Sequence, residues 1–479
     1  MALREPVALV PAADAGAVHF IAIGGAGMSG VARLYHRLGA RVTGSDQSDS
    51  PVLAVLARDG ITTWVGHDAA HVRGADTVVV SSAIRADNPE LVAAQQAHLR
   101  VWHRSTALAA LMLGSRGVAI AGTHGKTTTT AMCAVMLTRA GADPSYVIGA
   151  PLASSGTSAH LGGGGVFVVE ADESDGTFLQ YPAEVVVVTN VEADHLDNWG
   201  TADDYFAGFE RFASAPGVRA VVVNADDPGA AELAHRLQGA GVRVVRYGED
   251  ARSDVRLTDL TLEGVTAAAT LTDEGSSVRL RLQVPGRHNL ANAAAAYAVG
   301  RLLGLDRAAL IEGAHDFTGT LRRFQAKGER SGVRVFDDYA HHPTEIRATL
   351  TAARKVSGTG RLVACFQPHL YTRTRDFADE FGAALALADL VVLTDIYPAR
   401  EDPIPGVTGE LLLTTARAHG AEVVYVPDKR DLPAAIAGLV APGDLVMTIG
   451  AGDITLVGPM VLDELGARIR DASTHDAHD

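Results

Sequence analysis

The sequence predicts an α/β fold arranged as three domains. Three observations predict it. The chain has 479 residues, too many for one hydrophobic core. Near-continuous runs of valine, isoleucine and leucine alternate with helical patterns, as in parallel sheets covered on both faces. Dense polar segments follow several of these runs, at the strand ends where open α/β sheets carry their ligands. The expected domains are residues 1–110, 111–324 and 325–479.

The first domain opens with a strand at Val18–Ile23, followed by G-G-A-G-M-S-G and a helical pattern through Leu38. Gly25-x-Gly27-x-x-Gly30 matches the fingerprint in which a tight glycine turn brings a diphosphate to a helix N-terminus. The next strand, Arg41–Gly44, leads to Asp46, the acid placed to reach a ribose. A strand at Thr77–Val80 runs into Ser81 and Ser82. This pattern fits a nicotinamide dinucleotide, a nucleotide-sugar diphosphate or a purely structural turn. A dehydrogenase or NAD sensor rests on the glycine fingerprint alone. Residues 1–16 and the tail from Asp471 read as loose.

In the second domain an apolar run, Gly117–Ala121, feeds Gly122-Thr123-His124-Gly125-Lys126-Thr127-Thr128. This is a compact G-x-x-G-K-T phosphate loop, with Ile120 where the longer form has its first glycine. Backbone N–H groups of the turn converge on phosphate oxygens, and the helix N-terminus adds partial positive charge. Lys126 neutralises terminal phosphates, and Thr127 or Thr128 offers a hydroxyl to Mg²⁺. Buried-type strands recur at Val166–Val169, Val185–Thr189 and Ala220–Val223. The first of these ends on Glu170 of E-A-D-E-S-D-G, a position suited to holding Mg²⁺. One or two of that segment's acids are expected to be functional and the rest solvated. The next strand ends in a loop with Asn190, Asp194, His195 and Asp197, where His195 reads as a metal ligand or a proton carrier. Alternating runs between Val255 and Val284 predict an antiparallel edge sheet. The alanine-rich helix Asn289–Leu303 follows, and His288, Asn289 and Asn292 near its start either cap it or read a purine edge.

The third domain repeats the doubly wound pattern, with strands at Val333–Phe336, Leu362–Phe366, Leu390–Leu393, Val423–Val426 and Leu445–Ile449. Arg322 and Arg323 stand at its start, either as a solvated pair or as guanidinium groups for a transferring phosphoryl group. Asp337, Asp338, Tyr339, His341 and His342 follow its first strand. His369, Arg373 and Arg375 follow the second. Two such segments at neighbouring strand ends are hard to explain as packing.

Composition narrows the class. A net charge of −15 argues against general nucleic-acid or anionic-membrane binding, yet leaves room for phosphorylated substrates. No window approaches the length of a membrane span, and the first residues lack a signal-peptide layout. Cys133 and Cys365 sit in apolar surroundings and read as buried thiols, which suits a reducing cytoplasm. Lysine occurs only at positions 126, 327, 355 and 429, so Lys126 stands out.

Eight segments in order resemble the Mur ligase family: I-G-G-A-G-M-S-G (23–30), G-T-H-G-K-T-T-T (122–129), E-A-D-E-S-D-G (170–176), T-N-V-E-A-D-H-L-D (189–197), G-R-H-N-L-A-N (286–292), R-R-F (322–324), D-D-Y-A-H-H-P-T-E (337–345) and Q-P-H-L-Y-T-R-T (367–374). The resemblance covers nearly the whole chain. It implies a Rossmann-like first domain for a UDP-sugar and a central ATPase-like domain. It also implies a Rossmann-like third domain for the amino acid and part of ATP. It implies an ATP-dependent ligase joining L-alanine to UDP-N-acetylmuramate in the cytoplasm, as a monomer or weak homodimer. A ligase that recycles murein tripeptide onto the same sugar nucleotide is the nearest rival within the family.

By the same resemblance, Gly25, Ala26, Gly27, Met28, Ser29, Asp46 and Ser82 would bind the UDP-sugar. Gly122 through Thr128 would hold the ATP phosphates, with Mg²⁺ or Mn²⁺ on Thr127, Glu170 and His195. Asn292 would contact adenine, Asp338 the ribose and Arg323 the γ-phosphate, while His342, His369 and Arg373 would line the substrate end. Lys126, Arg323, His342 and His195 would be catalytic. Three departures stand out. Leu370 and Arg400 replace an expected arginine and glycine. No lysine lies between Lys126 and Lys327 to be carbamylated as in other members, and Glu210 falls near that position.

Overall fold

The valine-rich runs become the central strands of three sheets in a computed structural model of the chain, which describes residues 5–399 and 401–475. The first sheet contains β1 (Val18–Ile21), β2 (Val42–Asp46), β3 (Thr62–Val65), β4 (Thr77–Val80) and β5 (Arg100–His103). They run parallel in the order β3-β2-β1-β4-β5. The order reverses beside β1, so the loops after β1 and β4 flank one crevice.

The second sheet comprises β6 (Arg116–Ala121), β7 (Ser145–Val147), β8 (Ala159–His160), β9 (Val166–Glu170), β10 (Val185–Val188), β11 (Ala220–Asn224), β12 (Val244–Gly248), β13 (Val255–Glu263), β14 (Thr266–Asp273) and β15 (Ser276–Leu282). Its order is β15-β14-β13-β12-β11-β10-β6-β9-β7-β8. Two-residue connections join β13 to β14 and β14 to β15, which permits only antiparallel pairing and matches the expected edge sheet. The phosphate loop leaves β6 between its neighbours β9 and β10.

The third sheet holds β16 (Gln325–Arg330), β17 (Val333–Asp338), β18 (Leu362–Phe366), β19 (Leu390–Leu393), β20 (Val423–Tyr425) and β21 (Leu445–Ile449). Its order is β16-β17-β21-β18-β19-β20, with only β16 antiparallel to its neighbour. The described chain divides into two compact units. One is Met1–Asp259, Ala269–Leu280 and Leu290–Phe317, and the other is Leu260–Ala268, Arg281–Asn289 and Thr318–Asp479.

Helix starts follow a repeated local signal, a polar cap followed by proline. Ser50–Pro51, Asn88–Pro89, Asp227–Pro228 and His342–Pro343 each open a helix with the cap side chain accepting a backbone N–H. Proline costs nothing at the first helical position because that N–H has no partner in the helix.

The differences from the sequence reading have local causes. β1 stops at Ile21 because Ala22 adopts φ +63 and turns the chain. Six strands, β3, β5, β7, β8, β12 and β16, escape the reading because they are short or mix polar with apolar residues. Residues expected to be loose are partly tied. Ala12–Ala15 form a 3-10 turn whose Ala15 carbonyl accepts from Thr77 Oγ1. The Gln180 amide exchanges two hydrogen bonds with the backbone of Val7. The last helix, Val457–His475, continues past Asp471. Cys133 and Cys365 are buried free thiols, as read. Among the described residues, no helix is long and apolar enough to cross a membrane.

Candidate active site

Three groups of side chains gather at the carboxyl ends of the sheets. In the first sheet, β1 turns through Gly24 and Gly25 into the helix Ala26–Arg37. Asp46, at the end of β2, accepts the Gly24 N–H at 3.0 Å through Oδ2, so it braces this turn. Met28 is buried in the core, its side chain packing against Gly25, and Ser29 is also buried. Ser82, after β4, donates to Asp175 Oδ2 at 2.7 Å and lies 3.1 Å from His103 Nε2. Arg104 went unnoticed in the sequence. Its guanidinium lies where a side chain on Gly27 would sit, and its Nη2 is 3.9 Å from Asp172 Oδ2. No sequence signal marked it, because β5, which it directly follows, was itself not read as a strand.

The second group surrounds the phosphate loop. Gly122 takes φ +130, and a side chain there would collide with Thr189 Oγ1. The end of β10 holds the loop from outside. Asn190 Oδ1 accepts the His124 N–H at 2.7 Å, and its Nδ2 donates to the His124 carbonyl at 3.0 Å. Thr189 Oγ1 donates to the same carbonyl at 2.6 Å. Thr123 Oγ1 exchanges hydrogen bonds with the backbone of Glu192, and His124 Nε2 is 2.9 Å from Glu192 Oε2.

Lys126 Nζ donates to the carbonyls of Gly122 and Thr123 at 2.6 and 3.0 Å and to Glu173 Oε1 at 2.9 Å. Burial opposes its charge, but Glu173, Asp172 and Glu170 together outweigh burial and hold its pKa above the ordinary lysine value. Lys126 is therefore cationic at neutral pH.

The threonine series divides by role. Thr129 and Thr130 donate back to carbonyls one turn earlier. Thr127 Oγ1 instead donates to Glu170 Oε1 at 2.9 Å, and Glu170 Oε2 accepts the Gly149 N–H at 2.7 Å. A threonine hydroxyl against a carboxylate at a helix N-terminus is an oxygen-only donor set, which fits a hard divalent cation. His195 sits in left-handed backbone at φ +55 with Nε2 3.5 Å from Asp194 Oδ2. The side chain of Asp197 lies outside the described residues.

The four acids of E-A-D-E-S-D-G all have close polar neighbours. Each has its own partner: Glu170 takes Thr127, Asp172 takes Arg104, Glu173 takes Lys126, and Asp175 takes Ser82. Asn292 is buried in the helix Arg287–Leu302, with Oδ1 3.1 Å from the point a Gly125 methyl group would occupy. Asn289 donates to the Pro285 carbonyl at 2.7 Å, a local helix-start bond. Glu210 lies on the helix Ala202–Ala213, 3.6 Å from Arg236.

The third group lies at the ends of β17 and β18. Asp338 is buried and accepts the N–H groups of Phe324 and Ala340, each at 2.8 Å. Burial pushes its carboxyl up to about 6, against the pull of Arg323 and the two amides. Arg323 stacks over Tyr339 at 5.2 Å and lies 3.9 Å from Glu345. Arg322 has a different role, donating to the carbonyls of Gly450 and Gly452 at 2.7 and 2.9 Å.

His342 caps the helix Pro343–Ser357, with Nδ1 accepting the Thr344 N–H, and its ring meets Phe377 edge-on. His341 Nδ1 faces the Tyr339 carbonyl at 3.1 Å. Its ring is 6.0 Å from that of His369, which stacks on Tyr397. Burial, with Arg373, His369 and Arg323 nearby, holds His341 below the ordinary histidine range despite Glu345. Arg373 is buried in the short helix Tyr371–Asp376. Leu370, at φ +75, has its N–H bonded to the Tyr397 carbonyl. Arg400 lies outside the described residues.

A phosphate loop with its acid strand, set between two other α/β sheets in sequence, defines a class of nucleotide-dependent ligases. Family profiles agree. Residues 17–116 match the Mur ligase family catalytic domain, 120–300 the Mur ligase middle domain, and 322–452 the Mur ligase glutamate ligase domain. The chain belongs to the Mur ligase family. Its similarity to particular members is extensive. It is 67% identical over 464 residues to UDP-N-acetylmuramate–L-alanine ligase of Cutibacterium acnes, covering 96% of this chain and 98% of that one. It is 55% identical to the enzyme of the same name from Kineococcus radiotolerans, over 95% and 97% of the two chains. Among solved structures, UDP-N-acetylmuramate-alanine ligase of Thermotoga maritima superposes with a TM-score of 0.80 at 30% identity, covering 94% and 99% of the chains. A murein peptide ligase of Psychrobacter arcticus superposes with a TM-score of 0.70 at 25% identity, over 94% and 99%.

Proposed function

We propose that this chain is an ATP-dependent carboxylate–amine ligase. It joins L-alanine to the lactyl carboxylate of UDP-N-acetylmuramate, a step of cytoplasmic peptidoglycan precursor synthesis. Its relatives, matched along almost their full length, carry that name. The single geometric observation that carries the chemistry is the pairing of Lys126 and Thr127 with Glu173 and Glu170 in the phosphate loop.

Residues 1–110 bind the UDP-sugar, 111–324 bind ATP, and 325–479 bind the amino acid and part of ATP. Thr127 and Glu170 would hold Mg²⁺ or Mn²⁺, with His195 as a further ligand. Bound there, the ion neutralises charge on the phosphate oxygens. A lactyl carboxylate oxygen attacks the γ-phosphorus, the bond to ADP breaks, and an acyl phosphate forms. Lys126 and Arg323 offset charge on the transferring group. The alanine nitrogen then attacks the acyl carbon, loses a proton, and expels inorganic phosphate. Asn292 lies beside the adenine and Asp338 beside the ribose. His369 and Arg373 line the substrate end. The protein works as a monomer or weak homodimer.

The amine must be neutral to attack, and free α-amino groups titrate near ~8. The two adjacent histidines differ in their hydrogen bonds. A carbonyl can only accept, so His341 donates from Nδ1 and leaves the Nε2 lone pair as a hydrogen-bond acceptor. His342 accepts at Nδ1 and carries its proton on Nε2. We therefore assign His341, kept neutral by its burial, to accept a hydrogen bond from the amine and orient it, while His342 caps the helix beside it.

Replacing Lys126 with Ala tests this reading. Amide formation is expected to fall below detection while UDP-N-acetylmuramate binding by calorimetry is retained. A Lys126→Ala protein that still makes product would contradict the assignment.

A further inference from the structure

Arg104 reaches the glycine turn of the first sheet at Gly27, a position where the chain leaves room for it. Its side chain comes from the helix Arg104–Met112, which begins directly after β5. It crosses onto the first turn of the helix Ala26–Arg37, where the Nη1, Cζ and Cδ atoms crowd the space that a Gly27 side chain would fill. The middle glycine of the fingerprint therefore admits an arginine as well as a ligand. The guanidinium remains about one-third exposed, so it is accessible from the crevice. Its acidic neighbour, Asp172, is loosely held at 3.9 Å, beyond hydrogen-bond length. Asp172 already has a nearer partner in the Ser174 N–H at 3.0 Å. An arginine beside a helix N-terminus, with donors not locked in short bonds, presents the planar fork that phosphate oxygens match.

We propose that Arg104 binds the diphosphate of the sugar nucleotide, and that Asp172 competes with that diphosphate for the same guanidinium. This rests on the reading of the glycine turn as the sugar-nucleotide site. The two residues then have effects of opposite sign. Removing Arg104 weakens the ligand, and neutralising Asp172 tightens it. A merely structural ion pair gives the same sign for both, because either change breaks the pair.

The test uses the full-length protein without ATP. Affinity is measured by isothermal titration for UDP-N-acetylmuramate and UDP, and by competition for uridine, which lacks the phosphates. Arg104→Ala is expected to weaken the two diphosphates by roughly 10-fold or more, as for loss of a charged hydrogen bond, and to leave uridine unchanged. Retained uridine binding also reports an intact fold. Arg104→Lys recovers part of the loss, and Asp172→Asn binds UDP more tightly than wild type. Unchanged UDP affinity in Arg104→Ala, or weakened affinity in Asp172→Asn, overturns the proposal while the ligase reading stands. A wild-type protein that binds neither UDP nor UDP-N-acetylmuramate overturns both.

Discussion

At the scale of single residues, neighbouring side chains of one type take different work from their hydrogen bonds. His341 and His342 are consecutive, yet one presents a neutral accepting nitrogen and the other a capped helix. Their substitutions should separate. His341→Ala is expected to lower kcat by about 100-fold with little change in melting temperature, through lost orientation of the amine. His342→Ala is expected to lower stability by about 1 kcal/mol through loss of the cap. Steady-state rates and thermal melts on both variants check this, and equal kcat losses would contradict it. The distinction was partly legible in the sequence. His342 directly precedes Pro343, and the residue before a helix-opening proline is the cap. What was not legible was the Tyr339 carbonyl that fixes the His341 tautomer, because that contact depends on how the chain folds back after β17.

At the scale of elements, buried polar contacts tie segments that sequence patterning treats as separate. Glu90, fully buried at the start of the helix Pro89–Gln96, meets His19 of β1, Ser45 of β2, His67 after β3 and His71 of the turn Ala69–Val72. The Asp68 N–H also points at it. Burial works against its charge, but hydrogen bonds from His19, Ser45 and His71 prevail and hold its carboxyl down to about 2. Because the folded value lies below the ordinary 4.5, the native state binds this proton less readily than the unfolded chain. Its stabilisation is complete above about pH 4.5 and is lost as pH falls toward about 2. Glu90→Gln should therefore lower the melting temperature at neutral pH and lessen the fall on acidification. A variant whose acid profile parallels wild type would exclude this role.

Elements themselves divided by burial. Strands covered on both faces, such as β4, β10, β18 and β21, announce themselves as unbroken apolar runs. Edge strands such as β3 and β16 need only half a face of apolar residues and read as loops. The phosphate loop was legible because glycine, lysine and threonine are required together. Its bracing by Asn190 was not, since an asparagine after a strand carries no signal of which amide it will accept.

At the scale of the whole molecule, the three sheets share one way of carrying function. Each places polar loops at the carboxyl ends of parallel strands, and the loops supply charges of both signs: Asp46 and Arg104 in the first, Lys126 and Glu170 in the second, Asp338 and Arg373 in the third. An overall charge of −15 is consistent with anionic substrates because Arg104, Lys126 and Arg373 stand at strand ends, where local cations suffice. The ordered set of motifs made the family legible from sequence, and no single motif carries it. The most direct measurement is ADP and phosphate release from Mg-ATP with UDP-N-acetylmuramate, with L-alanine, glycine, L-serine or murein tripeptide added in turn, and the product weighed by mass spectrometry. The expected result is release that depends on L-alanine, with a product heavier by one alanine residue. Release with the tripeptide alone, or no release from folded protein under any combination, would contradict the account.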